Sequence, residues 1–277
     1  MIKIENLTDN LLKEILDLLY KDEMYNTILI EVIEKRPRKI GNLYINRVKG
    51  KITEILHIKF DGNSNLTLFA YESKDGLKRI GDQINKIDYN KILLAGKYRD
   101  VACILQELGH DKSISPFTFF KLDLDNYRHL GLNYDCKIRL AEPSDKDLDI
   151  VKQFIIDFFE AETDEEISKL TGNDKILSKI KKGVYLLECE GQPVGMARFL
   201  AKTNNYAEIT GVYIDKDYRK RGLGKKLINH VIKVALDMAK TPVLVASSSN
   251  FAAIRTYQAM GFKEEEDYAF EFLSLKI

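Results

Sequence analysis

The chain has 277 residues, 45% hydrophobic and 31% charged, enough for one large domain or two ordinary ones with a substantial core. Lys plus Arg number 43 against 42 for Asp plus Glu, a formal net charge of +1, so no global field argues for nucleic acid or an anionic membrane. The N-terminal "MIKIENLTDNLLKEILDLLY" lacks the order of a signal peptide, and no apolar run reaches the ~20 residues that span a bilayer. A soluble, cytoplasmic protein is expected. Cys103, Cys136 and Cys189 are an odd count without a C-x-x-C pair, which suits neither a disulfide framework nor a zinc site. All three are expected to be reduced, with Cys103 and Cys189 buried. His57, His110, His129 and His230 are scattered without metal-ligand spacing, so no metal is expected.

In the first half, "NLYINRVKGKITEILHIKF" holds two β-rich runs about Lys49 and Gly50, followed by "NLTLFAYES", "GLKRIGDQINKI", "KILLAG", "YRDVACILQELGH" and "TFFKLDL". The second half repeats that order more clearly. "KIRLAEPSDKDLDIVKQFI" reads as a strand, a turn at Pro143 and Ser144, and an amphipathic helix. "VYLLECEGQPVGMARFLAK" is a hairpin about Glu190 to Pro193, and "YAEITGVYID" a third strand. Leu223, Leu227, Val231 and Ala235 then recur at helical spacing, "PVLVASS" is a buried strand, "NFAAIRTYQAMG" a helix ended by Gly261, and "YAFEFLSL" a last strand. Lys49 and Gly50 stand like Glu190 and Gly191, and Leu108 and Gly109 like Met260 and Gly261. The expected architecture is therefore an α/β (α+β) tandem of two similar units, 1–124 and 137–277, joined near "DNYRHLGLNYDC".

The chemistry concentrates in "YRKRGLGKKL". Gly222 and Gly224 remove side chains where a ligand would touch backbone, and the first turn of the following helix offers free N–H groups at a positive dipole end. That suits a pyrophosphate, with Arg219, Lys220, Arg221 and Lys225 adding charge-assisted contacts. The bland alternative is a solvated basic run, and the spacing fits neither a Walker A loop nor the G-x-G-x-x-G fingerprint.

"RKRGLG" resembles the [RQ]-x-x-G-x-[GA] signature of the GNAT superfamily of N-acetyltransferases, which bind acetyl-coenzyme A. "NFAAIRTYQAMGF" resembles the family's second motif and "YAEITGVYID" its fourth strand, so the likeness covers Lys137 to Ile277 in the expected order. It implies mixed, mostly antiparallel sheets flanked by helices, with the fourth and fifth strands of the unit splayed to admit pantetheine. It places acetyl-CoA against Val212, Tyr213, Ile214, Arg219, Lys220, Arg221, Gly222, Leu223, Gly224, Lys225, Asn250, Ala253 and Tyr257.

An alkylammonium with a pKa near ~10.4 has no lone pair at neutral pH, so the acceptor needs a base. The resemblance nominates Glu208; the alternative is an ordinary strand residue. It further implies a backbone N–H from Val212, Tyr213 or Ile214 toward the thioester oxygen, and the Tyr257 hydroxyl as proton donor to the departing thiolate. The alternative for Tyr257 is a core aromatic, and Asn250 serves equally as a helix cap or a cofactor contact. The reading is direct acetyl transfer from acetyl-CoA to a primary amine in a ternary complex; the alternative is a non-catalytic, acetyl-CoA-binding regulatory module. The acceptor is not legible.

The first unit lacks R-x-x-G-x-G in "AYESKDGLKRIGDQ", and matching Gly109 to Gly261 puts Leu105 at the place of Tyr257 and Tyr98 at that of Asn250. It is expected to be a degenerate copy that does not bind coenzyme A normally: scaffold, wall of the acceptor site, or oligomer contact such as a homodimer. The acidic run Glu160 to Glu166 either attracts a cationic amine or is a solvated turn.

Overall fold

The computed structural model describes residues 1–35, 42–59, 65–89, 91–110, 113–128 and 135–274. His129 and the middle of the expected junction lie outside them. The backbone divides into two compact units: Met1–Phe119 with Val245–Asn250 and Glu264–Ile277, and Phe120–Leu244 with Phe251–Lys263. The division differs from the expected 1–124 and 137–277 in giving the first unit two stretches from the C-terminal half.

Unit 1 runs β1 (Ile2–Lys3), α1 (Asp9–Leu19), α2 (Thr27–Glu34), β2 (Asn42–Val48), β3 (Lys51–Lys59), β4 (Asn65–Tyr71), α3 (Asp75–Ile84), β5 (Lys91–Lys97), α4 (Tyr98–Glu107) and the start of β6 (Pro116–Leu122). Thr8 caps α1 by accepting the Leu11 N–H, and the helix buries Leu12, Ile15, Leu18 and Leu19. Strands β2, β3 and β4 are antiparallel, while β4 and β5 are parallel over Asn65–Thr67 and Ile92–Leu94. The last strand of the chain, β12 (Phe262–Ser274), pairs antiparallel with β5 over Tyr268–Ser274. It thereby adds Ala269 and Leu273 to this unit's core, beside Leu56, Ile58, Ile80, Ile92, Leu94 and Ile104.

Unit 2 runs β7 (Cys136–Leu140), α5 (Asp145–Phe159), α6 (Asp164–Thr171), α7 (Asn173–Gly183), β8 (Val184–Cys189), β9 (Gln192–Lys202), β10 (Tyr206–Ile214), α8 (Leu223–Asp237), β11 (Thr241–Ser247) and α9 (Phe251–Ala259). Strands β7 to β10 are successively antiparallel, and β10 is parallel to β11. Apart from one extra helix, this is the element order of unit 1, so the expected tandem of mixed, mostly antiparallel sheets flanked by helices is present. The matched turns agree in detail. Lys49 and Gly50 (φ 51° and 82°) and Glu190 and Gly191 (φ 53° and 77°) are both two-residue left-handed hairpin turns. Gly109 and Gly261 both end their helices at positive φ, 68° and 92°.

Arg139 on β7 fastens the front of unit 2. Its guanidinium donates to Asp147 Oδ2 and Oδ1 at 2.6 and 2.7 Å, and its Nε to Glu188 at 2.8 Å. Asp147 is buried and also accepts the Glu142 N–H at 2.7 Å, while Ser144 caps α5. The acidic run is largely structural: Glu166 and Thr163 form a capping box, and Glu165 pairs with Lys169.

The cysteines require a correction. Cys136 and Cys189 form a disulfide, because β7 and β8 set them directly opposite each other although 53 residues separate them in sequence. Cys189 is buried as expected, but Cys103 is only half-buried. Among the described residues, no helix is long and apolar enough to cross a membrane, and no cluster of His, Cys, Asp and Glu is arranged to hold a metal.

Candidate functional site

Strand β10 pairs with β11 from Tyr206↔Thr241 to Ile209↔Leu244, and on its other edge with β9 through two register shifts. The second shift, between Thr210 and Tyr213, contains Gly211 at φ +61°, a conformation that disfavours a side chain. Opposite it, a Cβ on Gly195 would lie 2.6 Å from the Tyr213 carbonyl oxygen, so β9 approaches this segment only as glycine. Val212 and Ile214 are half-buried; Tyr213 is buried against Phe154, and its hydroxyl lies 3.4 Å from Asp157. Burial first, then Asp157, pushes that phenol up.

Beyond β10, Asp215 accepts the Asp217 N–H, and the chain makes a short 3-10 turn. Arg219 donates through Nε to the Ile214 carbonyl at 2.9 Å, and Arg221 to the Asp217 carbonyl at 2.9 Å. Both guanidinium groups therefore shape the loop as well as charge it. Lys220 and Gly222 take left-handed φ values of 62° and 75°. Gly222 is the N-cap of α8 with no side-chain hydrogen bond, so its helix start is not capped by a side chain of its own. Leu223 is buried beneath it, Gly224 and Lys225 are half-buried, and Arg219, Lys220 and Arg221 are exposed. Lys226 is not simply solvated, since its ammonium reaches the Cys136 carbonyl.

Glu208 is buried, 5% exposed, one residue before the end of the β11 ladder. Its charge acts on a residue that sequence reasoning alone does not single out: Arg198 on β9, whose guanidinium burial pushes down to about 10 while Glu208 pulls it up. The signal available in the sequence is a lone arginine inside the apolar run "VGMARFLA". Tyr257 on α9 is 8% exposed, with its ring 5.9 Å from those of Phe120 and Phe262, and burial pushes its phenol up to about 12. Ala253 is half-buried on the same helix. Unit 2 thus gathers every expected site residue except Asn250, which falls in the stretch grouped with unit 1, is exposed, and donates its N–H to the Ser247 carbonyl.

The acetyltransferase (GNAT) family matches residues 148–262, which contain this whole β10–α8–α9 arrangement. Residues 148–262 are a GNAT-family domain. An uncharacterised N-acetyltransferase of Methanocaldococcus jannaschii is 33% identical over 101 residues, 33% of this chain and 43% of the relative. The match thus spans less than half of that relative. A tandem GNAT protein from the clavulanic acid biosynthesis pathway superposes with a TM-score of 0.69 at 14% identity, covering 99% of this chain and 97% of its own. A GNAT-family acetyltransferase from Colwellia psychrerythraea gives 0.61 at 14% identity, covering 98% and 99%. At such identities the structures show the fold alone, and that fold is the tandem GNAT fold.

In unit 1 the helix start corresponding to α8 is filled from within. A Cβ on Gly76 of α3 would lie 2.7 Å from Glu54 Oε1, and that fully buried carboxylate pairs with Arg79. Burial alone would raise the Glu54 carboxyl, but hydrogen bonds from Arg79, Asn46 and Thr53 overcome it and hold it low. A cavity of about 140 Å³ beside β4 and β5 is likewise lined by groups that satisfy each other: Tyr71 donates to Asp100, and Lys97 pairs with Asp22.

Proposed function

We propose that unit 2 transfers an acetyl group from acetyl-CoA to a primary amine, directly and within a ternary complex. The observation that carries this reading is the run of one strand: a buried Glu208, the end of the β11 ladder, the Gly211 bulge, and a glycine-opened helix start, in that order. The loop 219–225 and the start of α8 hold the pyrophosphate, and the backbone of Val212, Tyr213 and Ile214 holds pantetheine in the manner of an added strand. Glu208 takes the proton of the acceptor ammonium. The amine nitrogen then attacks the thioester carbon, a β10 N–H receives the growing charge on oxygen, and the carbon–sulfur bond breaks as the nitrogen's second proton passes to the departing thiolate, giving the amide and the coenzyme A thiol.

Tyr257 stands near the leaving sulfur in this reading. With its phenol at about 12 and a thiol near ~8.5, complete proton transfer to the thiolate runs uphill, so Tyr257 acts as a hydrogen-bond donor. Its packing between Phe120 and Phe262 also suits the second reading, a module that binds acetyl-CoA without transferring from it. Release of free thiol with any amine in a panel favours the enzyme; binding without release favours the module.

Because Glu54 fills the corresponding helix start, unit 1 serves as scaffold and one acetyl-CoA binds per chain. Calorimetry on the full chain is expected to give a stoichiometry of one. Gly222→Val with Gly224→Val should weaken that binding by at least about tenfold, the loss of one charge-assisted contact. Unchanged affinity in the double variant, or two sites per chain, overturns this assignment.

A further inference from the structure

Arg198 has a position that acetyl transfer alone does not require. It lies on β9 opposite Val184 and Thr210, and its Nε is 3.4 Å from where a Cβ on Gly211 would stand. The guanidinium stem therefore crosses the β10 bulge, beside the backbone proposed to meet the thioester. Burial penalises its charge, and Glu208 is the charge that offsets the penalty.

That balance changes during the proposed reaction. When Glu208 accepts the ammonium proton it becomes neutral, and Arg198 is left as a half-buried cation without that counter-charge. A carboxylate on a reactant restores the balance, and a guanidinium fork is suited to receive one.

We infer that Arg198 is a specificity residue that recognises a carboxylate carried by one of the two reactants, either the amine acceptor or the acyl group. This rests on the acetyl-transfer reading of the same site. An amino acid or ω-amino carboxylate would supply the group from the acceptor side, and a dicarboxylic acyl thioester from the donor side.

The test compares two arms with the full chain. In the first, an ω-amino carboxylate and its carboxamide are offered with acetyl-CoA; in the second, succinyl-CoA and acetyl-CoA are offered with the carboxamide amine. One arm is expected to prefer the carboxylate reactant by between about 10- and 100-fold in kcat/KM, from the range of a charge-assisted hydrogen bond. Arg198→Gln should bring the carboxylate reactant down to the level of its uncharged counterpart, chiefly through KM, and Arg198→Lys should restore part of the preference. No preference in either arm, or an equal loss for both reactants in Arg198→Gln, overturns the inference.

Should Arg198→Gln fail to fold, competition on the wild-type chain decides instead. A carboxylic acid lacking the amine must inhibit at least about tenfold better than its amide, consistent with the same range. Calorimetry with the ω-amino carboxylate, with and without coenzyme A, separates the two readings. Carboxylate binding without turnover keeps the inference and removes acetyl transfer; acetyl transfer indifferent to the carboxylate does the reverse.

Discussion

Glu208→Gln is expected to lower kcat by between about 10²- and 10⁴-fold, the contribution of a positioned general base, while acetyl-CoA affinity stays unchanged. The amide is nearly the same shape as the carboxylate but cannot take a proton from the acceptor. The variant should then depend on acceptor already present as free base, so its rate climbs with pH toward the amine's own pKa near ~10.4. Stopped assays across that range, with calorimetry on the same preparation, read both quantities. A loss below about threefold, far short of that contribution, or a parallel loss of acetyl-CoA affinity, removes Glu208 from this role.

Asp147→Ala is expected to destabilise unit 2 by about 3 kcal/mol, the lower end for breaking a buried ion pair. The lower end applies because the Arg139 side chain is 33% exposed although that of Asp147 is 3% exposed. The substitution also strips a partner from the Glu142 N–H. Its pH dependence has a definite sign. The hydrogen bond from Arg139 is the main reason the Asp147 carboxyl is held below its ordinary value. Its contribution is therefore complete above the unfolded pKa near ~3.9 and fades as pH falls through the lower folded value. Denaturant unfolding at neutral pH should show the full difference from wild type, and acid unfolding a shrinking one. A difference under about 1 kcal/mol, well below that range, or one that persists undiminished in acid, contradicts this account.

Much of the fold is legible because it is written in local patterns. The hairpin turns need residues that tolerate positive φ, and Lys49-Gly50 and Glu190-Gly191 announce them. Helix α8 declares itself by its apolar spacing and its opening glycine, and α9 by the glycine that ends it. Helix α6 is harder to see, although Thr163 and Glu166 carry the capping-box spacing, because the density of charge in that run hides its caps. The disulfide escapes the sequence for a different reason: spacing along the chain does not encode which strands become neighbours.

The sequence by itself determined the order of elements, the repeat and the basic glycine loop, since each element and loop depends on residues close together in the chain, and its resemblance to the GNAT superfamily nominated Glu208 and Tyr257. Only the tertiary structure decided that Glu208 is buried within electrostatic reach of Arg198, that Glu54 fills the helix start of unit 1, and that the final strand pairs with β5. Those facts turn on burial and on the register between strands. A one-residue shift of register would send each of these side chains to the opposite face, and no local pattern fixes it.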